Sequence, residues 1–178
     1  MPRTATPVPS LCPIARSASL LGDRGVLLIL RELFFGVRRF DAIQRATGLT
    51  PQLLSARLRL LVAEGVIERR RYQAHPPRHE HWLTAAGQDL FSVLYAMRNW
   101  AERWDYPHRG DGQRDDLAIR YTHRSCGTDV GLETVCPGCG EELRYGSLVG
   151  TPSEALAAER LARGGSALQK LDKQLAAR

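Results

Sequence analysis

Long apolar runs are missing from this 178-residue chain. The longest, Val26-Leu27-Leu28-Ile29-Leu30, is five residues, against the ~20 that span a bilayer. The opening Met-Pro-Arg-Thr-Ala-Thr-Pro-Val-Pro-Ser carries neither an apolar core nor a cleavage pattern, so a cytoplasmic location is expected. Cysteine is scarce and uneven: of four, at 12, 126, 136 and 139, the last three fall within 14 residues. Without a secretion signal, that clustering points to metal before disulfide. Lysine is almost absent, with two against 23 arginines, a bias of the kind a GC-rich genome produces. No His-x-Glu or His-Glu-x-x-His pattern occurs, which argues against a zinc hydrolase or deaminase, and no enzyme is expected.

What is present suits a folded protein. At 43% hydrophobic and 25% charged, the chain is not disordered throughout. Its length fits one domain plus an appendage, burying roughly two thirds of the unfolded surface. The charge is unevenly placed. Residues 1–107 hold 15 arginines against 9 acids, and residues 108–178 hold 10 basic against 10 acidic groups. Within the first part, residues 38–79 hold nine arginines against Asp41, Glu64 and Glu68. A basic segment beside a neutral tail is either an electrostatic footprint for a polyanion or a solvated basic face.

Along the chain, residues 1–11 carry three prolines and no period and read as a flexible tail. Cys12-Pro13 opens a short helix with Ile14, Ala18 and Leu21 on one side, ended by Gly22-Asp23. Arg24 to Phe35 reads as a buried helix closed by Gly36, and Arg39 to Ala46 as a short one with Phe40 and Ile43 inward. Thr47-Gly48-Leu49-Thr50-Pro51 supplies a glycine turn, a Thr N-cap and Pro at the first helical position. The helix over 51–64 stops at Gly65. At 100° per residue it gathers Leu54, Leu58, Leu61 and Val62 on one face, with Gln52, Ala56, Arg59 and Ala63 opposite and Ser55 on the flank. This is a helix-turn-helix pattern. Val66-Ile67-Glu68-Arg69-Arg70-Arg71-Tyr72, the turn His75-Pro76-Pro77-Arg78, and His79-Glu80-His81-Trp82-Leu83 then read as a hairpin wing. His79 and His81 share one strand face, and two ligands alone do not make a metal site. After Thr84, a long helix spaces Leu90, Val93, Leu94, Met97, Trp100, Ala101 and Trp104 as one stripe. It is too apolar for a surface helix unless it packs on another chain.

Together these residues resemble the HxlR-type winged helix-turn-helix transcriptional regulators, relatives of the MarR-like group, over residues 12–105. The likeness rests on Cys12-Pro13, on Leu28-Ile29-Leu30-Arg31-Glu32-Leu33 followed by Gly36, Arg39 and Phe40, and on Leu54 to Leu58 with Arg57. Gly65, Arg69, Pro76-Pro77, Leu83-Thr84 and Gly87 complete it. Two places depart: Gly22-Asp23-Arg24-Gly25 stands where the family has Gly-Gly-Lys-Trp, and His79-Glu80-His81 where it has Val-Glu-Tyr. The resemblance implies a homodimeric DNA-binding regulator joined through its terminal helices. Some members of that family sense oxidants through an N-terminal cysteine, which makes Cys12 a candidate redox sensor. The other reading is a small buried residue at a helix start, where the dipole favours a thiolate.

Each candidate DNA contact has a mechanical reason. Gln52 can pair bidentately with adenine, and Arg59 can read guanine or clamp phosphate. Thr50 and Ser55 carry short hydroxyls suited to phosphate. Arg78 at the wing tip can enter a minor groove, and Arg39 can hold a backbone phosphate. Arg69, Arg70 and Arg71 alternate sides of a strand, so only part of that run can face DNA.

The composition changes after Pro107. His123-x-x-Cys126-Gly127 is followed, nine residues on, by Cys136-Pro-Gly-Cys139-Gly140. Two knuckles, each with a glycine behind its second ligand, let backbone N–H groups bond the ligand sulfur, as in a zinc ribbon. The set is Cys₃His, with His123, Cys126, Cys136 and Cys139 holding one structural zinc. Ile119, Tyr121, Val130, Leu132, Val135, Leu143 and Tyr145 suggest short strands with too little apolar mass to fold alone. Thr151-Pro152-Ser153-Glu154 fits a capping box with Pro at the first helical position. It opens a helix over 155–163, broken at Gly164-Gly165 and resuming over 166–177, with Leu168, Leu171 and Leu175 on one face. That tail suits packing on a dimer partner or on the ribbon, or a frayed solvated helix.

The fold expected is mainly α (α+β): a flexible tail (1–11), then a winged helix-turn-helix unit with a two-stranded wing and a long dimerisation helix (12–106). A linker (107–117), a small zinc-ribbon-like β unit (118–150) and a helical tail (151–178) follow. The function expected is a sequence-specific regulator, dimeric on a roughly palindromic duplex, with a small-molecule effector as an open option. The other class is a protein-interaction or non-specific nucleic-acid module in which the ribbon docks a partner.

Overall fold

The computed structural model describes residues 10–104 and 117–164. Most of the expected tail (1–11) and linker (107–117), and the whole second tail helix (166–177), lie outside the described residues. The order is α1 (Pro13–Leu21), α2 (Arg24–Phe34), α3 (Phe40–Thr47), α4 (Pro51–Ala63), β1 (Ile67–Gln73), β2 (Arg78–Leu83), α5 (Ala85–Arg103), β3 (Ile119–His123), β4 (Leu148–Pro152) and α6 (Glu154–Ala162). The fold is therefore α+β, with six helices and two small antiparallel sheets among the described residues.

Local chemistry sets most boundaries. Asp23 caps α2 by accepting from Val26 N at 3.1 Å. Thr50 caps α4 by accepting from Leu53 N at 3.3 Å, with Pro51 next in the first turn. Gly48 (φ 68°) ends α3 and Gly65 (φ 68°) follows α4, in the left-handed region a β-carbon disfavours. Thr84 opens α5 and also donates to the Gly65 carbonyl at 2.6 Å. Behind it, a β-carbon on Gly87 would sit 2.1 Å from the Val66 carbonyl oxygen, so no larger residue fits there. This close approach accounts for the Leu83-Thr84 and Gly87 pairing seen in the sequence.

The core is built around α2. Val26, Ile29, Leu30 and Leu33 are fully buried and meet Ile43 of α3 and Leu54, Leu58 and Leu61 of α4. Val62, expected on that face, is instead exposed, lining the open cleft between α4 and the wing. Gly25 stands where an aromatic was expected, and Leu49 and the Arg57 stem lie 3.6 Å from its β-carbon position. Arg57 then reaches Asp23, Nε to Oδ2 at 2.8 Å. This pair locks the start of α2 to α4 and, led by the Arg57 hydrogen bond, holds the Asp23 carboxyl below the usual range.

The wing pairs β1 with β2, Ile67 opposite Leu83 and Arg71 opposite His79, with a register shift between Arg71 and Gln73. In the second unit β3 pairs with β4, Ile119 opposite Pro152 and His123 opposite Leu148. Its core is Val130, Cys136, Leu143 and Leu148 together with Tyr95. Tyr95 is lent by α5, as expected of a unit with little apolar mass of its own. Val135 is exposed. Arg98 and Asn99 of α5 donate to the carbonyls of Gly131 and Leu132, each at 2.9 Å.

Two sequence expectations for the tail are corrected. Thr151 and Pro152 belong to β4, and the cap of α6 is Ser153, whose Oγ accepts from Leu156 N at 3.2 Å. Pro152 lacks an N–H and sits at a strand end, where none is needed. The helix packs back on α2, where Arg160 meets Glu32.

Candidate nucleic-acid interface and metal centre

The face of α4 opposite the core is open. Gln52 and Arg59 are exposed, Ser55 is half-buried on the flank, and Thr50 stands at the N-terminus. Its hydroxyl oxygen already accepts the capping bond, which leaves the O–H to donate. The wing stands across from this face, leaving a cleft of about 400 Å³ lined by Ser55, Arg59, Val62, Arg69, His79 and His81, among others. No carboxylate lines it. Arg69 reaches His79 Nδ1 at 3.1 Å, so this arginine of the run at 69–71 faces the cleft. Arg70 instead pairs with Glu68 at 2.7 Å, and Arg71 donates to the Gln73 and Ala74 carbonyls. The sequence reading named Arg69 and His79 but did not place either among the DNA contacts; their positions on one wing face were the signal.

His81, also on that face, is buried, and its Nδ1 lies 3.3 Å from the Arg38 carbonyl. Burial, aided by Arg69 and His79, pushes its basicity below the ordinary value. Arg78 is exposed at the start of β2, beside the wing turn. Arg39 caps α3 by position, pairs with Glu80 at 3.3 Å and lies over the Tyr72 ring at 4.6 Å. It is therefore tied to the wing and only partly free for phosphate.

The second cluster brings His123, Cys126, Cys136 and Cys139 together, their ligand atoms all within 4.8 Å of one another. Nδ1 of His123 is 3.4 Å from Cys126 Sγ and 3.2 Å from Cys139 Sγ, and Cys126 Sγ is 3.5 Å from Cys136 Sγ. Tetrahedral zinc with Zn–S of about 2.3 Å and Zn–N of about 2.0 Å separates its ligand atoms by roughly 3.5–3.8 Å. The four side chains thus surround a point suited to such an ion. Nδ1 faces the thiols while Nε2 lies 3.5 Å from Glu141 Oε2, an outer partner of the type that orients a ligating imidazole. Hydrogen bonds with the Thr128 side chain and backbone push the Cys126 thiol down to about 6, toward the thiolate a cation takes. The knuckle glycines close the turns at φ 71° and 77°, with Gly127 N and Gly140 N donating to the His123 and Cys136 carbonyls at 2.8 and 2.9 Å. The next backbone N–H groups, of Thr128 and Glu141, bond the Cys126 and Cys139 sulfurs as expected.

Cys12 is exposed and makes no capping bond, which corrects the reading of a small buried residue. The stripe of α5 splits: Leu90 and Leu94 pack on the core, while Val93, Met97, Trp100 and Trp104 are 40–60% exposed. No helix among the described residues is long and apolar enough to cross a membrane.

Comparison with known proteins agrees with this architecture. Residues 20–109 match the family described as HxlR-like helix-turn-helix. The HTH-type transcriptional regulator Mb3122 of Mycobacterium bovis, itself uncharacterised, is 38% identical over 146 residues, covering 82% of this chain and 89% of that protein. That alignment is longer than the family match, so the likeness extends beyond it. The regulator sll1512 of Synechocystis, also uncharacterised, is 40% identical over 95 residues, 53% of this chain and 70% of its own length. The crystal structure of PA1607, a proposed transcription factor, superposes with a TM-score of 0.58 at 35% identity, covering 75% of this chain and 89% of that one.

Proposed function

The chain belongs to the HxlR-like helix-turn-helix family of transcriptional regulators, and on that footing we propose that it acts in the cytoplasm as a homodimer on a roughly palindromic operator. α4 enters the major groove, with Gln52 and Arg59 at base edges. Thr50, Ser55 and Arg39 hold backbone phosphates, and Arg78 lies near the minor groove. The observation that carries this reading is the cleft between α4 and the wing, where Arg59 and Arg69 converge and no carboxylate offsets them. A face with that charge suits a polyanion.

The exposed stripe of Val93, Met97, Trp100 and Trp104 supplies the dimer contact, since an apolar surface of that extent is rarely left to water. Two copies joined there present two α4 helices for adjacent half-sites. Residues 12–106 form the DNA-binding and dimerising unit. His123, Cys126, Cys136 and Cys139 hold one structural zinc, for which the donor set and spacing are suited. Zinc binding is worth ~10–16 kcal/mol in comparable peptides, enough to fold a unit whose own core is four side chains and a borrowed tyrosine.

The deciding experiment titrates the zinc-recorded protein against its own upstream DNA and an unrelated duplex at physiological salt. A preference of about a thousandfold or more is expected. Equal, steeply salt-dependent binding to both would overturn the specific regulator and leave an electrostatic platform whose ribbon docks a partner.

A further inference from the structure

The wing sorts its charges by strand alternation. Side chains two apart share a face, and the pairing of β1 with β2 sets Arg69 opposite His81 and Arg71 opposite His79. These four bases therefore share a face, the one whose Arg69, His79 and His81 line the cleft toward α4. The two acids of the wing, Glu68 and Glu80, fall on the other face, where they pair with Arg70 and Arg39. α4 itself contains no acid. The lack of carboxylates in this cleft of about 400 Å³ thus follows from register on one wall and from sequence on the other.

Within the cleft, Arg69 and His79 act as one unit. Arg69 Nη2 lies 3.1 Å from His79 Nδ1. A guanidinium has no acceptor, so Nδ1 accepts and the ring proton sits on Nε2. The pair then presents two kinds of donor: Nε2–H of His79, and the N–H groups of Arg69 that this bond leaves unused. The bond also holds the guanidinium before anything binds, which lowers the cost of ordering a long side chain on association. His79 stands where the family pattern has a valine, so this donor pair is a feature of this chain rather than of the fold. Arg71, on the same face, is drawn away to the Gln73 and Ala74 carbonyls, and His81 is buried beside the Arg38 carbonyl. Ser55 and Arg59 of α4 line the wall across from the pair.

We propose that this cleft seats one sugar–phosphate strand of the duplex, and that Arg69 and His79 together hold one phosphate of that strand. The proposal rests on the reading that places α4 in the major groove. In B-form DNA a single backbone divides each major groove from the adjacent minor groove. A helix in one and a wing tip at the other therefore have that backbone between them, and the cleft is where it passes. The phosphate oxygens accept from His79 Nε2–H and from the Arg69 fork, with the Ser55 hydroxyl and Arg59 on the opposite wall. Such a contact positions without reading sequence. It fixes how α4 and the wing stand on the duplex and contributes equally on any sequence.

The test measures binding of the full-length, zinc-loaded protein to its own upstream DNA and to an unrelated duplex, by fluorescence anisotropy over a range of salt. Arg69→Gln should reduce the slope of log affinity against log salt by about 0.9 per chain on both duplexes. His79→Val removes an uncharged donor. It should weaken binding severalfold on both duplexes with the slope unchanged, and it stands as the test if Arg69→Gln misfolds. Arg70→Gln deletes the same charge on the far face and should change the slope far less. Ethylation interference on the upstream duplex should show one phosphate per half-site whose modification weakens the wild type but not Arg69→Gln. An Arg70→Gln effect equal to that of Arg69→Gln would reduce the pair to bulk charge and overturn the proposal. So would an unchanged slope and ethylation pattern in Arg69→Gln beside an intact operator preference, a result that leaves the regulator reading standing. A reduced slope in Arg69→Gln with no wild-type preference between the duplexes would do the reverse, keeping the phosphate seat and removing the specific regulator.

Discussion

Arg160 of α6 lays both terminal nitrogens on the Glu32 carboxylate of α2, at 3.0 and 2.7 Å, across 128 residues of sequence. Both side chains are almost wholly buried. The guanidinium also lies 4.9 Å from the Phe35 ring centroid, and Arg31 Nε reaches the same carboxylate at 2.9 Å. A helix beyond the metal-ligand unit is thereby fastened to the central helix of the DNA-binding unit. A buried pair of this kind is costly to break from one side, because the survivor remains charged and desolvated.

Arg160→Met should therefore destabilise the protein by about 3 kcal/mol, the lower end for breaking a buried pair, since Arg31 stays on Glu32. Adding Glu32→Gln should recover most of that loss. Denaturant unfolding of the two variants measures both steps, and equal stability of the single and double variants would contradict the account.

His81 makes stability depend on pH in a stated direction. Burial lowers its folded basicity below the ordinary 6.5, and its surroundings are the Arg38 carbonyl, Arg69 and His79. Above 6.5 both folded and unfolded forms are neutral and the contribution is fully present. As the pH falls from there through the depressed value, the unfolded chain takes a proton that the folded one resists, and stability is lost. His81→Gln should flatten that part of a stability profile measured by thermal melts.

Metal removal should act locally first. Chelation, or Cys136→Ser, should release one zinc per chain in a colorimetric assay and raise hydrogen exchange in β3 and β4. α2, α3 and α4 should keep most of their protection, because the buried residues of their core all come from the first unit and the second adds only the partly buried Tyr145. Full retention of β3–β4 protection after zinc loss would show that the cluster does not stabilise that sheet.

Gln52→Ala with Arg59→Ala should erase the preference for the operator while leaving the dimer intact. Each bidentate base contact is worth about 1–3 kcal/mol of discrimination. The mutant's residual binding should resemble that to unrelated DNA, as read by competition binding. Selection of the same operator by the double mutant would place the reading face elsewhere.

Met97→Glu with Trp100→Glu puts charge into the exposed stripe of α5. Light scattering should show a monomer with unchanged far-ultraviolet dichroism, since both side chains are about half exposed in the single chain.

The helices, the wing and the four ligands were legible in the sequence because their determinants are local. Thr50 before Pro51, Gly48 and Gly65 at helix ends, and Leu54, Leu58 and Leu61 on one face all act within a few residues. The His123, Cys126, Cys136 and Cys139 spacing is equally local within each knuckle. The misreadings arose where a residue's role depends on distant chain. Thr151 and Pro152 look like a helix start until Arg120 and Ile119 arrive beside them as a strand. Val62 fits the apolar stripe until the wing stands off from it across an open cleft.

The arginines divide the same way. Composition alone established that residues 38–79 are basic, but not which guanidiniums are available. Tertiary structure assigned Arg57 to Asp23 and Arg39 to Glu80, and left Arg59 and Arg69 in a cleft without carboxylates. The sequence determined the helix-turn-helix, the wing and the ligand set through short-range capping and periodicity. Only the tertiary structure decided the Glu32–Arg160 fastening and which arginines line the cleft, because pairing and burial are set by side chains brought together from far apart.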